Sequence, residues 1–236
     1  MSLVSSGRTV ARLRSRLEDA HLAVRIRRVA GFFDLPPDVV RGFARDYLAE
    51  VDHSAYGAFD LEIYLLVRGK KPALVVETGV NRGWSSAAIL RALRHNDRGR
   101  LISIDLPTTG PSGRVNADGR RDLSWIPDGM TGLEVPEYLR PRWELRLGSS
   151  RDLLPPLDGY DFFFHDSDHS FENQTFEYQT ALRHLPSGGV LASDDVNWTP
   201  AFSNASRGQK TIRWPLLAAR QGAFLVAKRG SGSGPP

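Results

Sequence analysis

The chain of 236 residues contains no cysteine. Structural disulfides, zinc sites built from thiolates and cysteine nucleophiles are therefore excluded. The sequence also has no apolar run near the ~20 residues that a membrane-spanning helix requires, and no signal-like apolar segment follows Met1. We therefore expect a soluble, cytoplasmic protein that has no membrane partner.

Acidic residues are scarce near the N-terminus, although Asp and Glu nearly balance Lys and Arg over the whole chain, 27 against 31. Seven arginines lie between Arg8 and Arg28, opposed only by Glu18 and Asp19. Such a basic helix can contact nucleic acid or anionic lipid, but no nucleic-acid motif accompanies it here. Because leucines and Ile26 form an ordinary buried stripe, we expect a solvated face or a contact in a homo-oligomer, and no nucleic-acid partner.

Apolar segments alternate with helical ones through most of the chain. The predicted strands cover residues 72–77, 100–105, 143–147, 160–165 and 190–193, followed by a weak strand after residue 210 and a clear one at 223–228. The predicted helices between them cover residues 84–95, 134–139, 149–154 and 171–184. This alternation predicts an α/β, Rossmann-like domain over residues 70–229, with a mainly parallel seven-stranded sheet and an antiparallel edge.

The segments outside this alternation have a different composition. Helices predicted at 8–30, from Pro36 to about residue 51, and at 59–68 form an N-terminal helical cap over residues 1–69. Residues 106–133 are rich in Gly, Pro, Ser and Thr, as expected of a lid or a disordered loop. Residues 197–208 are polar and loop-like, and residues 230–236 form a flexible tail.

A glycine loop joins the first predicted strand to a helix, with the pattern ExGxxxGxS over Glu77–Ser85. It is not the dinucleotide pattern GxGxxG, and the acid at the strand end repels phosphate but suits the cationic amino-acid end of S-adenosylmethionine (SAM). Asp105, after the next strand, can accept hydrogen bonds from ribose hydroxyls or act as a turn acid. We predict cofactor binding by these residues: Glu77, Gly79, Asn81, Gly83, Ser85, Asp105 and, beside the adenine, Ser149.

Acids cluster after two later strands, in HDSDH and in the pair Asp194-Asp195. The carboxyl ends of adjacent parallel strands meet at one edge of a sheet, so Asp166 and this pair can share a hard divalent cation. His169 can then take a hydroxyl proton, because histidine as a residue type titrates near neutral pH. Other roles stay open: Asp166 as a helix cap, Asp168 as an acid favoured by a helix dipole, and the pair as turn acids.

Together these motifs resemble class I SAM-dependent methyltransferases of the methyltransferase domain 24 type, close to metal-dependent O-methyltransferases of sugar and macrolide tailoring. The resemblance covers about residues 70–200, through VVETGVNRGWSS, LISIDLP, GLEVPEYLRPRWELRLGSSRDLLPPL, YDFFFHDSDHSFEN and SGGVLASDDVNW. It implies SAM at the glycine loop, Mg²⁺ on Asp166, Asp194 and Asp195, and His169 as the base. Asp166 is also assigned to catalysis and cofactor binding. Catechol enzymes differ, with an asparagine in the acidic pair and a lysine base.

These features predict an enzyme that moves a methyl group from SAM to a hydroxyl of a small molecule. A sugar hydroxyl in a natural product is the first expectation for the acceptor, followed by a polyketide or phenolic hydroxyl. Two alternatives remain: a catalytically silent scaffold with the same fold, and an oxidoreductase that uses a dinucleotide. The acidic rim argues against the first and the missing GxGxxG against the second.

Overall fold

The computed structural model describes residues 20–51, 60–107, 129–214 and 221–227. Residues 20–33 are helical (α1), and the other helices are α2 Pro37–Glu50, α3 Asp60–Lys70, α4 Trp84–His95, α5 Ser150–Leu153, α6 Phe171–His184 and α7 Ala201–Ala205, with a 3-10 helix at Glu137–Arg142. The strands are β1 Leu74–Thr78, β2 Arg100–Asp105, β3 Trp143–Leu147, β4 Phe162–His165, β5 Val190–Ser193, β6 Lys210–Arg213 and β7 Gly222–Leu225.

The strands form one sheet in the order β3-β2-β1-β4-β5-β7-β6. β1 to β5 pair in parallel, whereas β7 runs antiparallel to both β5 and β6. The predicted seven-stranded, mainly parallel Rossmann-like sheet with an antiparallel edge is therefore confirmed. Because the strand order reverses between β1 and β4, a crevice for ligands is expected at the carboxyl ends of these two strands.

Apolar side chains alternate between the two faces of the central strands. Phe162 and Phe164 pack with the core that includes α1 to α4, while Phe163 packs on the opposite face with Tyr178 of α6 and Phe202 of α7. This double burial explains why the strands are continuously apolar in the sequence, as expected for a parallel sheet covered on both faces.

The N-terminal helices share the core of the sheet. Leu61 and Tyr64 of α3 belong to the same buried cluster as Val75 of β1 and Ile89 of α4. Arg25 forms a 2.6 Å ion pair with the buried Glu62, so this part of the basic segment binds to its own chain. The arginines from Arg8 to Arg16 lie outside the described residues, and the proposed domain boundary near residue 69 stays a prediction.

Two helical segments differ from the sequence prediction. The helix expected at 134–139 is a 3-10 helix at Glu137–Arg142, which follows Pro136 and contains Pro141. The helix α7 falls where a polar loop was expected, since its five residues are too few to show a helical period. Among the described residues, no helix is both long and apolar enough to cross a membrane.

Candidate active site

The glycine loop between β1 and α4 has a left-handed backbone at three positions. Gly79 has φ +82°, Asn81 +48° and Gly83 +90°, and asparagine tolerates this conformation better than most residues. A Cβ atom on Gly79 would lie 2.0 Å from the carbonyl oxygen of Asp166. A glycine at this position therefore allows the end of β1 to lie directly against the segment that follows β4.

The second glycine makes a close contact with the chain itself. A Cβ on Gly83 would lie 2.8 Å from Val135 Cγ2 and 2.9 Å from Gly132 Cα. The amides of Gly132 and Glu134 donate to the carbonyl oxygens of Asn81 and Arg82, each at 2.8 Å. The sequence predicted that Gly83 contacts the cofactor, whereas in the structure its near neighbours are in residues 132–135, where the predicted lid ends and the next predicted helix begins.

Glu77 lies completely buried at the end of β1. Its carboxylate accepts hydrogen bonds from the hydroxyls of Ser85 (2.7 Å), Ser86 (2.6 Å) and Ser103 (2.6 Å). Burial raises the pKa of Glu77, and the three hydroxyls oppose that rise. Glu77 and Ser85, both predicted to bind the cofactor, thus connect β1, α4 and β2 beneath the loop.

Asp105 holds the glycine loop from the side of β2. One carboxylate oxygen accepts from the amides of Val80 (3.1 Å) and Asn81 (2.8 Å), and the other accepts from Leu106 (2.8 Å). The amide of Gly148 donates to the carbonyl oxygen of Asp105, which brings Ser149 to the same side of the sheet. Ser149 itself caps α5, because its hydroxyl accepts from the amide of Arg151 at 3.1 Å.

The predicted acidic rim forms at the ends of β4 and β5. Asp166 directly follows β4, and its amide donates to the carbonyl oxygen of Thr78 of β1 at 2.8 Å. The amide of Asp194 donates to the carbonyl oxygen of His165 at 2.9 Å, so the two acids begin from adjacent strand ends. Burial raises the pKa of Asp166 well above its ordinary value, and the negative charges of Asp194 and other nearby acids raise it further.

His169 lies among these acids. Its Nε2 atom is 3.5 Å from Asp195 Oδ2 and 3.9 Å from Asp166 Oδ1. Its ring packs edge-on against those of His165 and Trp198, with centroids 5.3 Å apart in both cases. The structure therefore brings the predicted base and two of the predicted acids together.

Two alternatives raised by the sequence are decided by the start of α6. The cap is Ser170, whose hydroxyl accepts from the amide of Asn173 at 3.3 Å, so Asp166 is not the cap. Asp168 accepts from both the amide and the hydroxyl of Ser170 at 3.0 Å. It therefore supports the start of the helix, in line with the role at a helix N-terminus that the sequence left open for this acid.

The donor chemistry of the rim suits a hard divalent cation, which would offset the repulsion that raises the pKa of Asp166. Within the described ranges, however, no three acidic or histidine side chains form a group arranged to hold a metal ion. Asp166, Asp194 and Asp195 are thus neighbours at one rim without a formed three-ligand cluster.

Two buried acids of this region are not among the site residues that the sequence predicts. Asp60 begins α3 and is buried; burial raises its pKa to about 7, with smaller contributions from Glu77 and Asp194. Glu177 lies completely buried on α6, where it is paired with His165 at 2.7 Å. Neither belongs to a recognisable motif, and only the polar i, i+4 pair Asn173 and Glu177 on the buried face of α6 gives a sequence signal.

Solved structures with a similar fold include O-methyltransferases in complex with SAM or with S-adenosylhomocysteine (SAH). The O-methyltransferase of Bacillus cereus in complex with SAH is 16% identical, with a TM-score of 0.52 over 85% of this chain and 95% of that one. TomG of Streptomyces achromogenes, an O-methyltransferase involved in tomaymycin synthesis and solved with SAM, is 16% identical, with a TM-score of 0.51 over 80% and 89%. Cofactor-bound Rv0187 from MTB is 20% identical, with a TM-score of 0.51 over 82% and 91%.

No curated protein sequence matches this chain. The family described as Methyltransferase domain (Methyltransf_24) matches residues 76–196, which is more than half of the chain and extends from β1 to the acidic pair after β5. The residues that match this family form most of the Rossmann-like sheet. The chain therefore belongs to this methyltransferase family, as its sequence motifs predicted.

Proposed function

We propose that this chain transfers the methyl group of SAM to a hydroxyl group of a small molecule. One observation carries the proposal: the glycine loop and the rim of acids with His169 meet at the strand-order reversal between β1 and β4, where Gly79 packs against Asp166. The similar structures solved with SAM or SAH support the choice of cofactor.

The cofactor would lie over the glycine loop, with its cationic groups towards the acids. SAM carries an ammonium and a sulfonium, so the acidic side chains that flank the loop, Asp105 and Asp166, favour it over a pyrophosphate. We propose that Asn81 and Gly83 contact the cofactor from the loop and that Ser149 contacts its adenine. Glu77 and Ser85 support the loop from below through their mutual hydrogen bond.

His169 is the proposed base. In the transfer, the acceptor oxygen attacks the methyl carbon, the carbon–sulfur bond breaks to leave SAH, and the hydroxyl proton passes to His169 Nε2. Asp195, whose Oδ2 lies 3.5 Å from that nitrogen, stabilises the imidazolium once the proton has moved. Because the methyl group is already activated, alignment of the two reactants supplies much of the rate.

The proposal includes Mg²⁺, with the carboxylates of Asp166, Asp194 and Asp195 as its ligands. When bound, such an ion would lower the pKa of the acceptor hydroxyl and orient its oxygen. The acid set provides suitable oxygen donors, although the described residues do not form a three-ligand cluster.

The acceptor we propose is a sugar hydroxyl in a natural product, with a polyketide or phenolic hydroxyl next. Trp198 is 60% exposed, and its amide donates to the carbonyl oxygen of Asp195 at 3.1 Å. An exposed indole held beside His169 is suited to cover one face of a ring-shaped acceptor. We propose action in the cytoplasm without nucleic-acid or membrane partners, either as a monomer or as a homo-oligomer.

Calorimetric titration tests this function. SAM is titrated into chelator-treated protein, followed by Mg²⁺, with Asp166→Ala as the test variant and Asp158→Ala, at an 83% exposed side chain, as the control. We expect micromolar SAM binding and a separate Mg²⁺ signal that only Asp166→Ala removes. Binding of SAM without a metal signal would remove Mg²⁺ from the proposal, and absence of SAM binding would overturn the function itself.

A further inference from the structure

A completely buried carboxylate lies under the crevice. Glu177 of α6 is 0% exposed, and hydrogen-bond donors of several side chains surround both of its carboxylate oxygens. Thr78 Oγ1 (2.5 Å) and His165 Nδ1 (2.7 Å) donate to Oε2, while Ser167 Oγ (2.9 Å) and Asn173 Nδ2 (3.1 Å) donate to Oε1.

These bonds keep a negative charge in the interior. Burial by itself would raise the pKa of Glu177, but the hydrogen bond and charge of His165, helped by hydrogen bonds from Ser150 and Thr78, hold that pKa below its ordinary value. A buried charge is weak evidence for stability, because the cost of removing it from water offsets most of the attraction of its partners. We therefore ask what the residues that donate to Glu177 do in the site.

The partners of Glu177 stand at the bases of the two halves of the site. Thr78 is the last residue of β1 and immediately precedes Gly79, while His165 is the last residue of β4 and immediately precedes Asp166. These two residues are register partners in the sheet. One carboxylate therefore binds the last residue before the cofactor loop and the last residue before the acidic rim.

The same contacts extend to the proposed base. Ser167 follows Asp166 in the chain, and its hydroxyl donates to Glu177. The imidazole of His165, held by Glu177, packs edge-on against His169 with centroids 5.3 Å apart. Glu177 thus holds the Asp166–His169 segment through the hydroxyl of Ser167, and it holds the imidazole of His165 against the ring of His169.

We propose that Glu177 is a positioning residue that fixes the cofactor loop relative to the Asp166–His169 segment, and so aligns the methyl donor with the acceptor hydroxyl. The proposal rests on the methyl transfer proposed above. A displacement of reacting groups by about 1 Å can cost about 100-fold in rate, so a residue that touches neither reactant can control turnover.

The test compares Glu177→Gln with Tyr178→Phe. The control residue is the next one on α6, is equally buried, and loses only the 2.6 Å hydrogen bond between its hydroxyl and Ser193 Oγ. Hydrogen exchange is measured by mass spectrometry on peptides that contain the amides of Gly79 and Asp166. Turnover, acceptor KM and the Kd of SAH are then measured with SAM and an acceptor found by screening.

In Glu177→Gln we expect faster exchange in both peptides, and a kcat about 10- to 100-fold lower with acceptor KM and SAH Kd changed less than about threefold. Tyr178→Phe should show neither effect. Unchanged exchange, faster exchange in only one of the two peptides, or a kcat that falls only in proportion to SAH binding would overturn the positioning role.

A wild-type protein that binds no SAH and methylates no hydroxyl would refute the proposed function, and the exchange comparison would still decide whether Glu177 links the two segments. If Glu177→Gln does not fold, Ser167→Ala removes one donor at a partly exposed residue. It should accelerate exchange of the Asp166 peptide in the same direction, and unchanged exchange there would again overturn the proposal.

Discussion

At the scale of single residues, the acids near the glycine loop accept hydrogen bonds from serine hydroxyls and backbone amides around that loop. Glu77 accepts from three serine hydroxyls and Asp105 from three backbone amides, so both shape the loop before a ligand arrives. The sequence predicts an acid at each strand end, because strand and loop patterns are local. It does not predict their partners, because Ser103 meets Glu77 only once β2 lies beside β1.

Replacement of the proposed base tests the chemistry most directly. His169→Ala should abolish turnover while SAM affinity stays within about twofold, because a general base contributes 10²- to 10⁴-fold to rate without contacting the cofactor. Turnover and calorimetric SAM binding are the measurements. His184→Ala, at the far end of α6, is the control and should stay active. An active His169→Ala enzyme would remove this residue from the mechanism.

Gly79 permits a test of the contact between the two halves of the site. Gly159 has a similar φ of +74° with no atom within 4 Å of an added Cβ, so Gly159→Ala should cost about 1 kcal/mol for the backbone alone. Gly79→Ala, with its Cβ 2.0 Å from Asp166, should cost about 1–3 kcal/mol more through overpacking. Urea denaturation measures both, and equal costs would contradict the close contact.

At the scale of elements, segments with a clear apolar pattern were predictable and segments without one were not. α4, α6, β2, β3 and β5 have the predicted bounds, because their apolar patterns are strong and their ends are marked by glycine, proline or serine. The 3-10 helix and α7 lack an apolar period, so their type or existence depends on tertiary contacts. Glu177 illustrates the same limit, since its role depends on three elements that are distant in sequence.

The cap of α6 provides a prediction at this scale. Ser170→Ala removes the acceptor for the amide of Asn173 and a partner of Asp168, and should lower the free energy of unfolding by about 1 kcal/mol. Ser187→Ala, at an exposed position beyond the other end of the helix, should change it by less than about 0.5 kcal/mol. Thermal or urea unfolding distinguishes them, and equal stabilities would contradict the capping role.

At the scale of the whole molecule, the N-terminal helices and the sheet share one core, and α3 adds a buried acid close to the rim. Asp60 interacts with Arg91 of α4 and with the negative charges of Glu77 and Asp194. No sequence pattern predicts that Asp60 lies near these acids. The helix α3 comes before the sheet in the chain, and Asp60 becomes buried only when α3 packs against α4.

The buried acid should make stability depend on pH. The pKa of Asp60 is about 7 in the folded protein, against an ordinary value of 3.8, so its contribution to stability is present below pH 4 and is lost as the pH rises to about 7. Asp60→Asn should therefore gain stability relative to wild type between pH 4 and 8, by up to about 4 kcal/mol. Urea denaturation across this range is the measurement.

The exposed Asp38, whose side chain is 86% exposed, provides the control, because Asp38→Asn should show no such trend. A difference between Asp60→Asn and wild type that stays constant over the same pH range would show that Asp60 ionises normally in the folded protein.

The contact between residues 132–135 and the glycine loop has a practical consequence for protein engineering. The carbonyl oxygens of Asn81 and Arg82 accept hydrogen bonds from backbone amides in residues 132–135, and Gly83 packs against Val135. A chimera that receives a foreign loop at 79–83 therefore also needs the matching residues at 132–135. Trp198 lies on a separate turn after β5, so libraries that vary the acceptor side can leave the loop and its partner segment untouched.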